Sequence, residues 1–301
     1  MIPIYRMPVI HIEITNGCSL QCSQCTRFVG HHAKPFFMDL AMVEKALESL
    51  KGYTGQIGIM GGEPTLHPQF KEICELVQKL VPERRQRSLW TNGLNWDKYK
   101  EVIDQTFDAD HVIYNDHKDT EVGKHQPLLV AAEEVLDDRE LMWRLIGNCW
   151  VQWRWGASIT PKGGFFCEVA AAQDQLFNGP GGYIIEPGWW EKNPNEFMDQ
   201  VKRYCPRCSG AIPMERVDSH ASYDLISPGN AERLKALGSP KFNQEKYKLF
   251  SKKLTEQEIE KTIAQGWTPW SHRPYKQSSP TTKWTDKNDV QKNNRNNINK
   301  S

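Results

Sequence analysis

Three cysteines spaced Cys18-x3-Cys22-x2-Cys25, close behind the run VIHIEIT, constrain this chain more than any other feature. The run alternates and is rich in β-branched residues, so it predicts a strand, with the thiols on the loop that leaves it. With no export signal at the start, such a cluster of cysteines points to metal binding rather than disulfides. A [4Fe–4S] cluster takes one ligand at each iron, so a loop offering three thiolates leaves one iron open to an external ligand. Zinc is the alternative, and it would need a fourth ligand, for which His31 and His32 are candidates.

The rhythm after the loop is strand then helix, repeated. DLAMVEKALESL (39–50) has helical periodicity, QIGIM (56–60) reads as a strand, and GGEPTLHP (61–68) is a loop closed by prolines. FKEICELVQKL (70–80) is again helical, RSLW (87–90) a strand and TNG (91–93) its loop. HVIYN (111–115), QPLLVAAEEVL (126–136) and ELMWRLI (140–146) read as a fourth strand, a helix and a fifth strand. Alternation of this kind predicts an α/β fold of parallel βα units, a partial barrel over residues 1–147, with reactive groups on the loops at the C-terminal strand ends. VQWRWGASI and GFFCEV flank the turn ITPKGG and predict a β-hairpin in a separate small module, residues 148–210. Residues 211–277 form a C-terminal extension, and the Asn-, Lys- and Ser-rich text of 278–301 predicts a disordered tail.

In this order, NGCSLQCSQCTR (16–27), MGGEPTLHP (60–68) and TNG behind successive strands resemble the radical SAM superfamily. The resemblance covers about residues 8–147 and implies that S-adenosylmethionine (SAM) chelates the open iron of a [4Fe–4S] cluster held by Cys18, Cys22 and Cys25. It implies further that Gly61, Gly62 and Glu63 meet the SAM amino group and that Asn92 lies near its ribose or methionyl part. The implied chemistry is cleavage of SAM to a 5′-deoxyadenosyl radical, which removes a hydrogen from substrate. One position departs from the family: the residue before the third cysteine, often aromatic or bulky there, is Gln24.

Cys149, Cys167 and the pair Cys205-Pro-Arg-Cys208 make a second set, with 17 residues between the first two. Four thiolates complete a ligand shell for an auxiliary [4Fe–4S] cluster, or for tetrahedral zinc. Their order resembles the twitch module, a shortened relative of the SPASM domain, in an architecture similar to that of the radical SAM dehydrogenase acting on 2-deoxy-scyllo-inosamine. A fully ligated cluster could take the electron left on a substrate radical and complete an oxidation. Cys74, on the apolar face of its helix, is expected in the core.

Arg154 and His117 are the candidate substrate residues, with Asp116 and Glu168 beside them. The expected function is a radical SAM oxidoreductase acting on a small polar molecule of the sugar or aminocyclitol type, reduced by a partner such as flavodoxin or ferredoxin. An epimerase or peptide-modifying radical SAM enzyme is the alternative within the class, and a zinc-stabilised binding module the alternative outside it. Lys plus Arg is 38 against Asp plus Glu 37, which gives no field for nucleic acid. No apolar run approaches the roughly 20 residues of a membrane span, so a cytoplasmic location is expected.

Overall fold

The computed structural model describes residues 1–115, 123–267 and 273–274. Four parallel strands follow the predicted rhythm: β1 (Val9–Thr15), β2 (Gln56–Gly61), β3 (Arg87–Thr91) and β4 (Val112–Tyr114). The helices between them are α1 (Leu40–Ser49), α2 (Phe70–Leu80) and α3 (Trp96–Thr106). Each buries one stripe. On α2 it is Phe70, Ile73, Cys74 and Val77, and on α3 it is Trp96, Tyr99, Ile103 and Thr106, the spacing at which one helical face meets a sheet. Asp39 starts α1 by accepting the Met42 N–H at 2.7 Å, a cap whose loss costs about 1 kcal/mol.

Along β1 every residue is buried, yet the two faces differ in chemistry. Ile10, Ile12 and Ile14 are buried core members, each worth about 2 kcal/mol on burial. The alternate residues His11, Glu13 and Thr15 face the opposite side, the period of two that a strand imposes. Burying Glu13 is tolerable because Arg27 Nη1 and Ser158 Oγ donate to its Oε1 at 2.5 and 2.9 Å.

After β4 the structure departs from expectation. β5 (Lys124–His125) is short, and QPLLVAAEEVL supplies only one helical turn, α4 (Ala132–Val135). ELMWRLI is not a strand but part of helix α5 (Arg139–Gly147). Asp138 caps it by accepting from Glu140 and Leu141, and Leu141, Met142 and Ile146 form its buried stripe. VQWR is likewise a helical turn, α6 (Val151–Arg154), ended by Gly156 at φ +89°. A Cβ there would lie 2.2 Å from the Val9 carbonyl oxygen, so only glycine lets the chain enter the sheet.

The hairpin itself is real but shorter, β6 (Ala157–Thr160) against β7 (Gly163–Phe165). It is no separate sheet, because β6 pairs in parallel with β1. Beyond it come α7 (Glu168–Leu176) and α8 (Met198–Tyr204), then β8 (Val217–Asp218), which pairs with β5. Then come β9 (Asp224–Ile226), α9 (Pro228–Ala236), α10 (Pro240–Asn243), β10 (Tyr247–Leu249), which pairs with β9, and α11 (Glu256–Ala264). A two-residue strand, β11 (Arg273–Pro274), pairs with β4 and completes a sheet of order β11-β4-β3-β2-β1-β6-β7. The result is an α/β fold with a parallel core of the partial-barrel type. Among the described residues no helix is long and apolar enough to cross a membrane.

Candidate active site: two cavities lined by thiols

The loops that leave β1, β2 and β3 converge on one cleft, which encloses about 950 Å³, part of it open to solvent. Cys18, Cys22 and Cys25 line it together with Gly61, Gly62, Trp90, Thr91 and Asn92. Two backbone bonds lock the first loop to the second, Gly62 N–H to the Thr15 carbonyl at 2.8 Å and Glu63 N–H to the Gly17 carbonyl at 2.7 Å. A Cβ at Gly62 would come 2.3 Å from the Gly17 oxygen, so the approach requires glycine. Burial pushes Cys18 up to about 11 and Cys22 up to about 12, so thiolates here need a cation for company.

Glu63 is fully buried. Its Oε1 accepts from the Thr65 N–H at 3.0 Å and from the Thr65 and Thr91 hydroxyls at 2.7 Å each. Its Oε2 accepts the Asn92 N–H at 2.6 Å, and Asn92 Nδ2 in turn donates to Cys18 Sγ at 3.6 Å. The carboxylate therefore acts as a clamp between the second and third loops, while the glycines and Asn92 line the cleft.

The second set gathers as well. Cys149, Cys167, Cys205 and Cys208 line a cavity of about 360 Å³ whose other walls include Ile146, Val151, Val169 and Ala170. Cys149 precedes α6, Cys167 stands at the start of α7, and the last two follow α8. Burial pushes Cys149, Cys167 and Cys208 each up to about 12 and Cys205 well above the ordinary thiol value. All eight cysteines are free of disulfides. Among the described residues no three His, Cys, Asp or Glu side chains converge closely enough to hold a single metal ion; the four thiols ring the cavity instead.

Against known families, the model of the radical SAM superfamily matches residues 12–115. These residues are a radical SAM domain. The family implies a [4Fe–4S] cluster and SAM. A probable GTP 3′,8-cyclase of Methanocaldococcus jannaschii is 37% identical over 99 residues, 31% of each chain. A GTP 3′,8-cyclase of Pasteurella multocida is 30% identical over 96 residues, 31% of this chain and 28% of its own. The matched stretch thus spans about a third of these curated relatives. Among solved structures, BtrN in complex with AdoMet and 2-DOIA covers 67% of this chain and 88% of its own, at 18% identity and a TM-score of 0.43.

Within the radical SAM domain, the expected residues Cys18, Cys22, Cys25, Gly61, Gly62 and Asn92 all line one cleft, and Glu63 stands behind it. His31 cannot complete a zinc shell there, since its Nε2 pairs with Asp224 at 2.9 Å and its Nδ1 with Ser239 at 2.8 Å. Arg154 is absent from the cleft lining: a helical turn replaces the expected strand, and the neighbouring Trp155 lines the cleft instead. Gln152, expected to share a face with Arg154, is buried and accepts the Ile2 N–H at 3.1 Å. His117 and Asp116 lie outside the described residues. Glu168 does reach the cleft, beside a buried network in which its carboxylate lies 3.0 Å from His11 Nδ1 and 3.3 Å from Arg27 Nη2. Cys74 is in the core, as its helical position requires.

Sequence reasoning missed the contribution of the C-terminal segments. Gln24, at φ +53°, donates its N–H to Asp224 Oδ1 at 2.5 Å, and Ser23 N–H bonds the Ser219 carbonyl at 2.8 Å. Both partners lie about 200 residues downstream, so no local pattern could have found them.

Proposed function

We propose that this protein is a radical SAM oxidoreductase with a catalytic [4Fe–4S] cluster on Cys18, Cys22 and Cys25 and an auxiliary cluster on Cys149, Cys167, Cys205 and Cys208. The observation that carries the reading is the pairing of a cleft lined by three thiols, one short of a full cluster shell, with an apolar cavity lined by four. When bound, the cluster and SAM supply a 5′-deoxyadenosyl radical able to remove a substrate hydrogen.

The chain's own residues then have distinct tasks. The Gly61–Gly62 backbone admits close approach by SAM, and Glu63, through Asn92, fixes the angle of that approach. The apolar walls Trp90, Met60 and Leu128 exclude water from the radical, while Asn115, Gln126 and Glu168 offer hydrogen bonds to a small polar substrate such as a sugar or aminocyclitol. Residues 167 and 168 line the two cavities from adjacent positions, so a substrate held by Glu168 sits close to the second thiol set. That proximity favours oxidation, with the electron passing to the auxiliary cluster, over epimerisation; the core position of Cys74 removes one hydrogen donor an epimerase would need. An external one-electron donor of the flavodoxin or ferredoxin type completes the scheme.

The test is anaerobic reconstitution with iron and sulfide analysis, followed by assay for 5′-deoxyadenosine. About eight irons per chain are expected for two clusters. Stoichiometric zinc with no iron would refute the reading. Solvent deuterium retained at an inverted centre of the product would replace oxidation by epimerisation.

A further inference from the structure

A third, small cavity of about 230 Å³ touches Cys22 and Cys25, and its other walls carry Asp224 and Lys241. Both charges are buried, at 2% and 4% exposure, with the ammonium 2.7 Å from the carboxylate. Lys241 Nζ also donates to the Cys22 carbonyl at 3.1 Å, while Asp224 accepts the Gln24 N–H and bonds His31. The lysine stem runs over Gly30, where a Cβ would approach its Cδ to 2.9 Å. Two opposite charges are thus held against the backbone of two residues of the cysteine loop, by a segment more than 200 positions downstream.

We propose that Lys241 and Asp224 act as a pair of positioning residues that sets the reduction potential of the cluster assigned to Cys18, Cys22 and Cys25, the lysine raising it and the aspartate lowering it. The inference rests on that assignment. Reduction adds one electron, hence one negative charge, to the cluster, and a buried ammonium nearby stabilises the added charge while a buried carboxylate opposes it. Away from water neither effect is well screened. The pairing keeps the lysine from costing its full desolvation, and the bond to Cys22 fixes its distance from the cluster ligands.

The experiment is an EPR-monitored redox titration of the anaerobically reconstituted full chain, following the signal that changes when SAM is added, so that the auxiliary site does not interfere. Lys241→Met should shift the midpoint downward, Asp224→Asn should shift it upward, and Lys241→Arg should leave it near wild type. Iron content and the melting temperature of each variant accompany the titration. Midpoints that do not move, or that move together in one direction, in variants carrying full iron would overturn the inference and leave the cluster assignment standing. Should Lys241→Met not load iron, Asp224→Asn decides by itself: an unchanged or lowered midpoint overturns the inference. A wild-type chain with no SAM-responsive signal would overturn the assignment and the inference together.

Discussion

The two thiol sites are built on opposite plans. The first has three cysteines in a cleft lined also by Asn92, Asn115, Gln126 and Glu168; the second has four in an almost wholly apolar cavity. A roomy site with both polar and apolar walls can admit a cofactor and a substrate. An apolar site with four thiols is suited, under the proposed function, to a fully ligated centre that only passes electrons. The two sites also rest on different elements: the first hangs on loops at strand ends, the second on the starts and ends of helices α5 to α8.

The largest effect that would break this comparison comes from the first site. Replacing Cys18, Cys22 and Cys25 by alanine should abolish 5′-deoxyadenosine formation while the second cluster still assembles, leaving about half the iron. Any residual SAM cleavage would contradict the partition. Next, the combined Cys149, Cys167, Cys205 and Cys208→Ala variant should also lose about half the iron yet keep partial SAM cleavage; complete loss would show that the two sites are not independent.

A smaller effect sharpens the role of Glu63. In Glu63→Gln an amide NH2 must face either the Asn92 N–H or the three donors at Oε1, so at least one bond is lost. Thermal or urea unfolding should register about 1–3 kcal/mol. SAM affinity should fall with it, since Asn92 loses its anchor; unaltered affinity would remove Glu63 from the positioning role.

How much of this was legible beforehand follows from which contacts are local. β1 to β3, α1 and α2 were readable because alternation and helical stripes are written in consecutive residues, and the three loops followed from the strand ends. ELMWRLI misled because a short apolar run suits either a strand or a helix; the signal that decides is Asp138, a capping residue just ahead of it. VQWRWGASI misled because its alternation is genuine but Gly156 divides it. The thiol sets were legible in composition and spacing. The brace from Asp224 and Lys241 was not, since nothing in either segment signals the other.

Cys74→Ala probes the one cysteine that lies outside both thiol sites. The thiol is buried against Thr106 and burial pushes it up to about 12, so the change should cost roughly 1 kcal/mol in unfolding. Iron content should be unaltered; a fall would bring Cys74 into one of the sites.

A further effect, seen only on acidification, is one of pH. Burial lowers His32 from 6.5 to about 4, against the opposing hydrogen bond to the Arg27 carbonyl. The folded ring stays neutral while the unfolded chain takes up a proton below about 6.5, so this residue withdraws stability as pH falls from 6.5 toward 4. His32→Gln should flatten that part of the unfolding profile, by about 1–2 kcal/mol at pH 5. An unchanged slope would show that the ring titrates normally.

The pairing of β6 with β1 carries a mechanical consequence. The strand that feeds the first cysteine loop is hydrogen-bonded along Ile10 to Ile12 with β6, whose hairpin partner β7 leads into Cys167. The two thiol sites are therefore tied to neighbouring strands of one sheet, not to separate modules. If both sites carry clusters as proposed, the distance between them is set by strand pairing inside one sheet and stays the same from turnover to turnover.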